Sequence, residues 1–218
     1  MSPRRSMLIL ALLAIPLLGG AQCSFFFSSG GGSKDPEEEK DKAGLVVIVG
    51  DGTLVDAPVA GVSYESGSLA GITGSNGEFR YEVGNTVRFH IGDIALGVPV
   101  TGKAVITPLD LVPNGTADTP AVVNIARLLQ SLDSEPDDDV ISIPPEVRAA
   151  AVRSNEALSP AIEFLDFSDE PAFVNAASQL VAVLASDYPF TAVLVDAEQA
   201  RTHMARSLRK LDPGLDLP

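Results

Sequence analysis

The sequence predicts an α+β protein: an N-terminal antiparallel β-sandwich followed by a small α-helical domain, both behind a cleaved signal and a disordered tether. Three observations predict this. Residues 44–112 are built of short apolar runs separated by Gly and Pro turns, the texture of antiparallel sheets. After Thr107-Pro108 the apolar period changes to that of amphipathic helices. Residues 1–43 carry neither pattern.

The chain opens with Arg4 and Arg5, then an apolar run from Met7 to Leu18, then Gly19-Gly20-Ala21. These are the three regions of an export signal over residues 1–22. The run falls short of the about 20 apolar residues that a bilayer span needs, so a cleaved signal is preferred to a membrane anchor helix. Two cleavage sites compete. One lies before Cys23, the single cysteine of the chain, whose thiol would then carry a lipid. The other lies after Ala21, with plain secretion as its consequence. The stretch resembles a lipobox, with Gln22 where Gly or Ala usually precedes the cysteine and Gly20 where Leu or Val is usual. Residues 23–43 follow as a tether, with Gly30-Gly31-Gly32-Ser33 and then an acidic segment from Lys34 to Lys42. Such a segment buries too little apolar surface to fold.

The sandwich is expected over 44–112. Leu45–Val49 reads as an aliphatic strand closed by Gly50-Asp51-Gly52, and Val59–Glu65 as an alternating strand with Val62 and Tyr64 inward. Gly71–Thr73 leads into Ser75-Asn76-Gly77, a tight-turn signal. Glu78–Val83 places Phe79, Tyr81 and Val83 on one face, and Val87–Ile91 points Val87, Phe89 and Ile91 inward. Short strands are expected at 94–96 and 104–106. The helical domain is expected over 113–218. Pro120–Leu132 carries an apolar stripe with Arg127 and Gln130 outside, and Glu146–Leu158 and Pro171–Ala185 read as two further helices. A short extended piece is expected at 140–143. The last helix starts at Asp196 as N-cap, with Gln199 in capping-box spacing and a stripe of Ala200, Met204, Leu208 and Leu211. Arg209 and Lys210 sit near its C-terminal end, where the macrodipole favours cations.

Charge narrows the partners. The chain has 15 Lys+Arg against 29 Asp+Glu, a net charge of -14. Loss of Arg4 and Arg5 with the leader makes the mature chain more acidic still. Nucleic acid is excluded as a partner, since phosphate binding needs a basic patch. One cysteine excludes an intrachain disulfide, so the core must carry stability. Tryptophan is absent, which argues against a sugar-stacking platform.

The stretches Ala57-Pro58-Val59-Ala60-Gly61-Val62 and Gly71-Ile72-Thr73-Gly74-Ser75-Asn76-Gly77-Glu78-Phe79 resemble carboxypeptidase-regulatory-like, or transthyretin-like, sandwich modules of extracytoplasmic proteins. Gly74 stands where that family usually has Asp. Gly92–Gly97, Ile106–Leu111, Asn124–Asp133 and the pair Ala200 and His203 resemble uncharacterised proteobacterial surface lipoproteins labelled adhesin-like. The resemblance implies an architecture and an envelope location, and no established activity.

Candidate chemistry is sparse. Asp133, Glu135, Asp137 and Asp139 occupy alternate positions after a helix, the pattern by which a loop gathers oxygen ligands around calcium. The resemblance implies an Asp-x-Asp-Gly-Asp-type loop at this point. Pro136 replaces its turning Gly and Glu135 lengthens one ligand, so a solvated acidic loop is the competing reading. His90 is expected at the surface, and His203 beside Met204 as a packing or docking residue. No His-Glu zinc motif, nucleophile elbow or phosphate-cradling Gly loop occurs, so no catalytic residue is assigned. Asp110 and Asn124 are read as turn and helix-end hydrogen-bonding residues.

The expected function is that of a non-enzymatic cell-envelope lipoprotein, a binding, adhesion or assembly module. It would be held at the outer membrane through lipidated Cys23 and would meet an envelope protein or surface ligand through loops 50–57 or 66–76 or a sheet edge. The alternative is a periplasmic or surface enzyme, or an accessory subunit, with a site between sandwich and helices; a soluble secreted form is the alternative location.

Overall fold

A computed structural model of the protein describes residues 47–212. The leader, the tether and Cys23 lie outside the described residues. The first half holds nine strands, β1 (Val49–Leu54), β2 (Val59–Ala60), β3 (Ser63–Ser66), β4 (Leu69–Ile72), β5 (Glu78–Glu82), β6 (Thr86–Ile91), β7 (Ile94–Ala95), β8 (Val100–Thr101) and β9 (Val105–Ile106). The second half holds α1 (Pro120–Ser131), β10 (Ile141–Ser142), α2 (Pro145–Ala150), α3 (Ser159–Glu163), α4 (Glu170–Leu184) and α5 (Ala197–Leu211). The expected α+β class, sheet-rich first and helical second, is what the chain forms.

The strands make three small sheets. One has the order β5-β1-β9, a second β4-β3-β6-β7 with β8 also on β6, and β2 pairs with β10. Most pairs are antiparallel; β1 with β9 and β2 with β10 are parallel. The two larger sheets meet through aromatic rings. Phe79 on β5 lies 5.9 Å from Tyr64 on β3 and 5.1 Å, edge to face, from Phe89 on β6. Such pairs add about 0.5–1.5 kcal/mol to the burial of the rings themselves.

Several local expectations hold. Val62, Tyr64, Phe79, Val87, Phe89 and Ile91 are all buried. Gly77 closes the turn before β5 with φ 77°, a conformation that glycine adopts without steric cost. The Asp196 side chain caps α5 by accepting from Glu198 N at 2.8 Å, and Ala200, Met204 and Leu208 face inward.

Four expectations are corrected. The strand runs through Gly50-Asp51-Gly52 instead of ending there: Gly50 and Gly52 pair with Tyr81 and Phe79 of β5, whose rings occupy the space beside them. A Cβ at either position would sit 2.6 or 2.5 Å from a ring carbon. The alternation of β5 breaks at its end: Glu82 is buried and Val83 is 56% exposed. The Glu82 carboxylate accepts from Ser68 N and Oγ and from Asn85 Nδ2, and these bonds hold it below the usual carboxylate range. The helix expected over 146–158 stops at Ala150. Ala151 O accepts from Asp93 N at 2.7 Å, and the Asp93 carboxylate accepts from Arg153 N at 2.7 Å, so the β6–β7 turn captures the backbone that the helix would have used. Arg127, expected outside α1, is 6% exposed.

One hydrophobic core runs through both halves. It joins Leu54, Phe79, Phe89, Ile91 and Ile106 from the sheets to Ile125, Leu128, Leu129, Leu132, Phe173 and Leu180 from the helices. A second, smaller cluster contains Val122, Val123 and Ala126 of α1 with Ala200, Met204 and Leu208 of α5. The buried apolar side chains of α5, Ala200, Met204 and Leu208, all belong to this satellite cluster.

Candidate functional site

The β1–β2 turn, the C-terminal half of α1 and one face of α5 converge on three polar side chains. Val55 bridges Pro58 across the turn, leaving Asp56 and Ala57 as its two central residues. Ala57 is held at φ 67°, the left-handed region that costs an L-residue about 1–2 kcal/mol. Its N–H donates to Ser207 Oγ of α5 at 3.1 Å, which in turn donates to His203 O. The turn therefore keeps an unfavourable backbone conformation in order to bond to α5.

That conformation turns Asp56 inward, where it is 1% exposed. Oδ2 accepts from Gln130 Nε2 at 2.8 Å. Oδ1 has no hydrogen-bond partner among the described residues. Burial pushes the carboxyl up from 3.8 to about 7, against the Gln130 bond, which pulls the other way. His203 is half-buried beside it. Its Nε2 is likewise buried and has no partner among the described residues. Burial lowers its pKa below the usual histidine range, opposed by the adjacent backbone of Asp56, while Arg206 and Lys210 lower it and Asp133 raises it.

A cleft of about 340 Å³ opens beside this cluster, lined by Gln130, Glu198, Gln199, Thr202, His203 and Arg206. On the other side of the α5 seam, Val55, Ala57, Pro58, Val105 and Leu211 line an apolar groove of about 260 Å³. Buried polar atoms are nearly always satisfied, so two orphans on touching residues mark this seam as unusual. In mildly acid solution, below about pH 7, the Asp56 carboxyl of this seam keeps its proton and can serve as a donor.

The acidic loop is arranged differently from the expected ligand set. Asp133 is buried, with Oδ1 accepting from Glu135 N at 3.1 Å and from Ser142 N at 2.9 Å, so it fastens the loop to β10. Glu135 and Asp137 are exposed, and Asp139 reaches Lys210 of α5 at 3.2 Å. The four carboxylates are not brought together, and among the described residues no group of three or more His, Cys, Asp or Glu side chains converges as metal ligands. His90 lies at the sheet surface, with Nδ1 2.8 Å from Gly92 O and Nε2 3.9 Å from Glu65. Asp110 stabilises its turn by accepting from Thr107 N and Oγ1. Asn124 instead makes tertiary bonds, donating to Phe167 O and to Glu170, each at 3.0 Å.

Asp56 was not singled out from the sequence, although a signal for it exists. It is the lone charge in the otherwise apolar run from Leu54 to Val62. Gln130 falls on the polar side of α1 by period alone, and nothing local to it announces a partner in the β1–β2 turn.

Comparison with known proteins gives a partial relationship. The chain is 32% identical over 105 residues to the "Putative lipoprotein AcfD homolog" of Escherichia coli strain K12, and 31% identical over 105 residues to the "Putative lipoprotein YghJ" of Escherichia coli O78:H11 strain H10407. Each match covers 47% of this chain and 7% of the relative. No family model matches the sequence, and no solved structure matches the fold. The chain is thus similar over about half its length to a small portion of two proteins named as lipoproteins.

Proposed function

We propose that the chain is a cell-envelope lipoprotein, held at the membrane through lipidated Cys23, whose folded body serves as a binding or assembly module instead of a catalyst. The observation that carries this reading is the coincidence of a leader ending at a lone cysteine with similarity to two proteins named as lipoproteins. Among the described residues, no helix is long and apolar enough to cross a membrane, so in this reading attachment rests on the lipid. Recognition falls to the β3–β4 hairpin and the open edge of β4, where Ile72 is 52% exposed and backbone groups await a partner strand. The outer membrane is the proposed site of anchoring.

Growth of cells with a clickable fatty acid tests the attachment. Wild-type protein is expected to carry the label and to fractionate with membranes, and Cys23→Ser to lose both. Unlabelled wild type overturns the lipoprotein reading. A pull-down from detergent-solubilised envelopes, repeated with the β4 edge blocked by Ile72→Pro, tests the recognition surface. Capture of the same partners by both proteins removes that surface from the proposal.

An envelope enzyme is the second reading, and one observation favours it: the Asp56–Gln130–His203 cluster adjoins a polar cleft between α1 and α5. The binding reading is preferred because Asp56 itself is sealed and Ser207 Oγ, the hydroxyl of the cluster, is already committed to Ala57 N and His203 O.

A further inference from the structure

The attachment of α5 is uneven along its length. At its start, Val195 is pinned from both sides: Arg127 Nε donates to its carbonyl at 2.7 Å, and its N–H donates to Ser131 Oγ at 2.8 Å. Beyond that point the helix relies on the satellite cluster with α1 and on the seam with the β1–β2 turn. It adds no side chain to the main core. Several further ties are exposed or weak: Arg201 to Asp118 at 4.0 Å, Lys210 to Asp139 at 3.2 Å, and Gln130 Nε2 to Ala200 O at 3.4 Å. A segment joined at a firm pivot and covered by its own small apolar patch is the kind of unit that opens separately from the rest of a fold.

We propose that Asp56 and His203 form a proton-operated latch that clamps α5 to the β1–β2 turn and releases it about Val195 when Asp56 ionises. The geometry places the latch in the seam away from the pivot, where His203 bonds to the Asp56 backbone and the orphaned Asp56 Oδ1 and His203 Nε2 are both buried. With a proton on the carboxyl, Oδ1 is a donor and the neutral imidazole an acceptor, and one water can join them. Without that proton, a sealed carboxylate has one neutral donor, Gln130, and no cation bonded to it. The charged groups around the imidazole are Arg206 and Lys210 on the same helix and Asp133 beyond α1, while Glu198 lines the cleft mouth. Release uncovers Val122, Val123 and Ala126 on α1 and Met204 and Leu208 on α5.

The sign follows from the direction of each shift. Asp56 is raised from 3.8 to about 7, so its contribution is full below 3.8 and is lost as pH rises through about 7. His203 is lowered, so its contribution is present above 6.5 and is lost as pH falls through its folded value. The clamp is tightest in mildly acid solution, between these two limits, and opens on the alkaline side through Asp56.

Amide hydrogen exchange on the mature full-length chain, corrected for intrinsic rates, reads the latch directly. Between pH 6 and pH 8, protection of α5 is expected to fall by up to about tenfold relative to β6. Asp56→Asn, which keeps the shape and carries no charge, is expected to abolish that difference. Binding of an apolar dye to the wild type is expected to rise over the same interval and to reverse on reacidification. Protection of α5 that tracks β6 throughout overturns the proposal, as does the same loss in Asp56→Asn. Dye binding that stays flat in the wild type overturns it without recourse to any variant.

Discussion

Two polar clusters grow from the same helix three residues apart, and the protein treats them in opposite ways. Arg127 on α1 is a buried charge held by three hydrogen bonds and a ring. Its Nε donates to Val195 O, one terminal nitrogen donates to Asn124 Oδ1 at 3.0 Å and to Glu170 at 2.8 Å, and the guanidinium lies 5.1 Å from the centre of the Phe173 ring. Gln130 on the next turn reaches a buried carboxyl that has no counter-charge and keeps one oxygen unsatisfied. A planar, always-charged fork can be built into an interior when carbonyls and a carboxylate surround it. An isolated carboxyl in the same interior keeps its proton instead. The first arrangement is suited to fastening helices together, and the second to responding to pH.

Substitutions in the two clusters sharpen the contrast. The largest effect is expected for Arg127→Met, which keeps the apolar stem and deletes three charge-assisted bonds. It should cost about 2–4 kcal/mol in a urea titration, at pH 6 and pH 8 alike. A loss that varied strongly with pH would show that the Arg127 cluster is not the inert one. Ser207→Ala comes next, because it orphans the buried Ala57 N–H and leaves a strained turn without its reward. A loss of about 1–3 kcal/mol is expected, with exchange of α5 accelerated more than that of α4. Equal acceleration of the two helices would mean that the Ala57–Ser207 bond does not belong to the α5 seam alone. Glu170→Gln should be the mildest, below about 1 kcal/mol. Its side chain is 52% exposed, and Asn124, Val195 and Phe173 still hold the guanidinium. A larger loss would place the weight of that cluster on the ion pair itself.

Legibility from the sequence divides along the same line. The inward faces of β3 and β6, the turn at Gly77, the Asp196 cap of α5 and its stripe through Leu208 are local patterns that emerge where spacing places them, while Leu211, the last of the expected stripe, is exposed. The polar positions do not. Arg127 and Gln130 both read as outward by period, yet one is sealed and the other reaches a strand end far away in the chain. The acidic loop shows the converse. Its alternating carboxylates suggest a gathered ligand set, while Asp133 is spent on two backbone N–H groups and Asp139 on a lysine of α5. A period reports which way a side chain leaves its own element. It carries no information about what another element brings to meet it.

The sequence by itself determined the single cysteine, the acidic balance, the change from sheet to helix near residue 107, and most of the faces that the apolar side chains bury. These are properties of composition and of neighbours within a few residues, where spacing and hydrophobic burial are sufficient causes. Only the tertiary structure decided that the helix after Pro144 stops at Ala150, that 141–142 joins β2 as a parallel strand, and that a carboxyl, an amide and an imidazole from three separate elements meet at one seam. Each of these depends on backbone and side-chain groups distant in sequence competing for the same hydrogen bonds, and that competition exists only once the chain has folded.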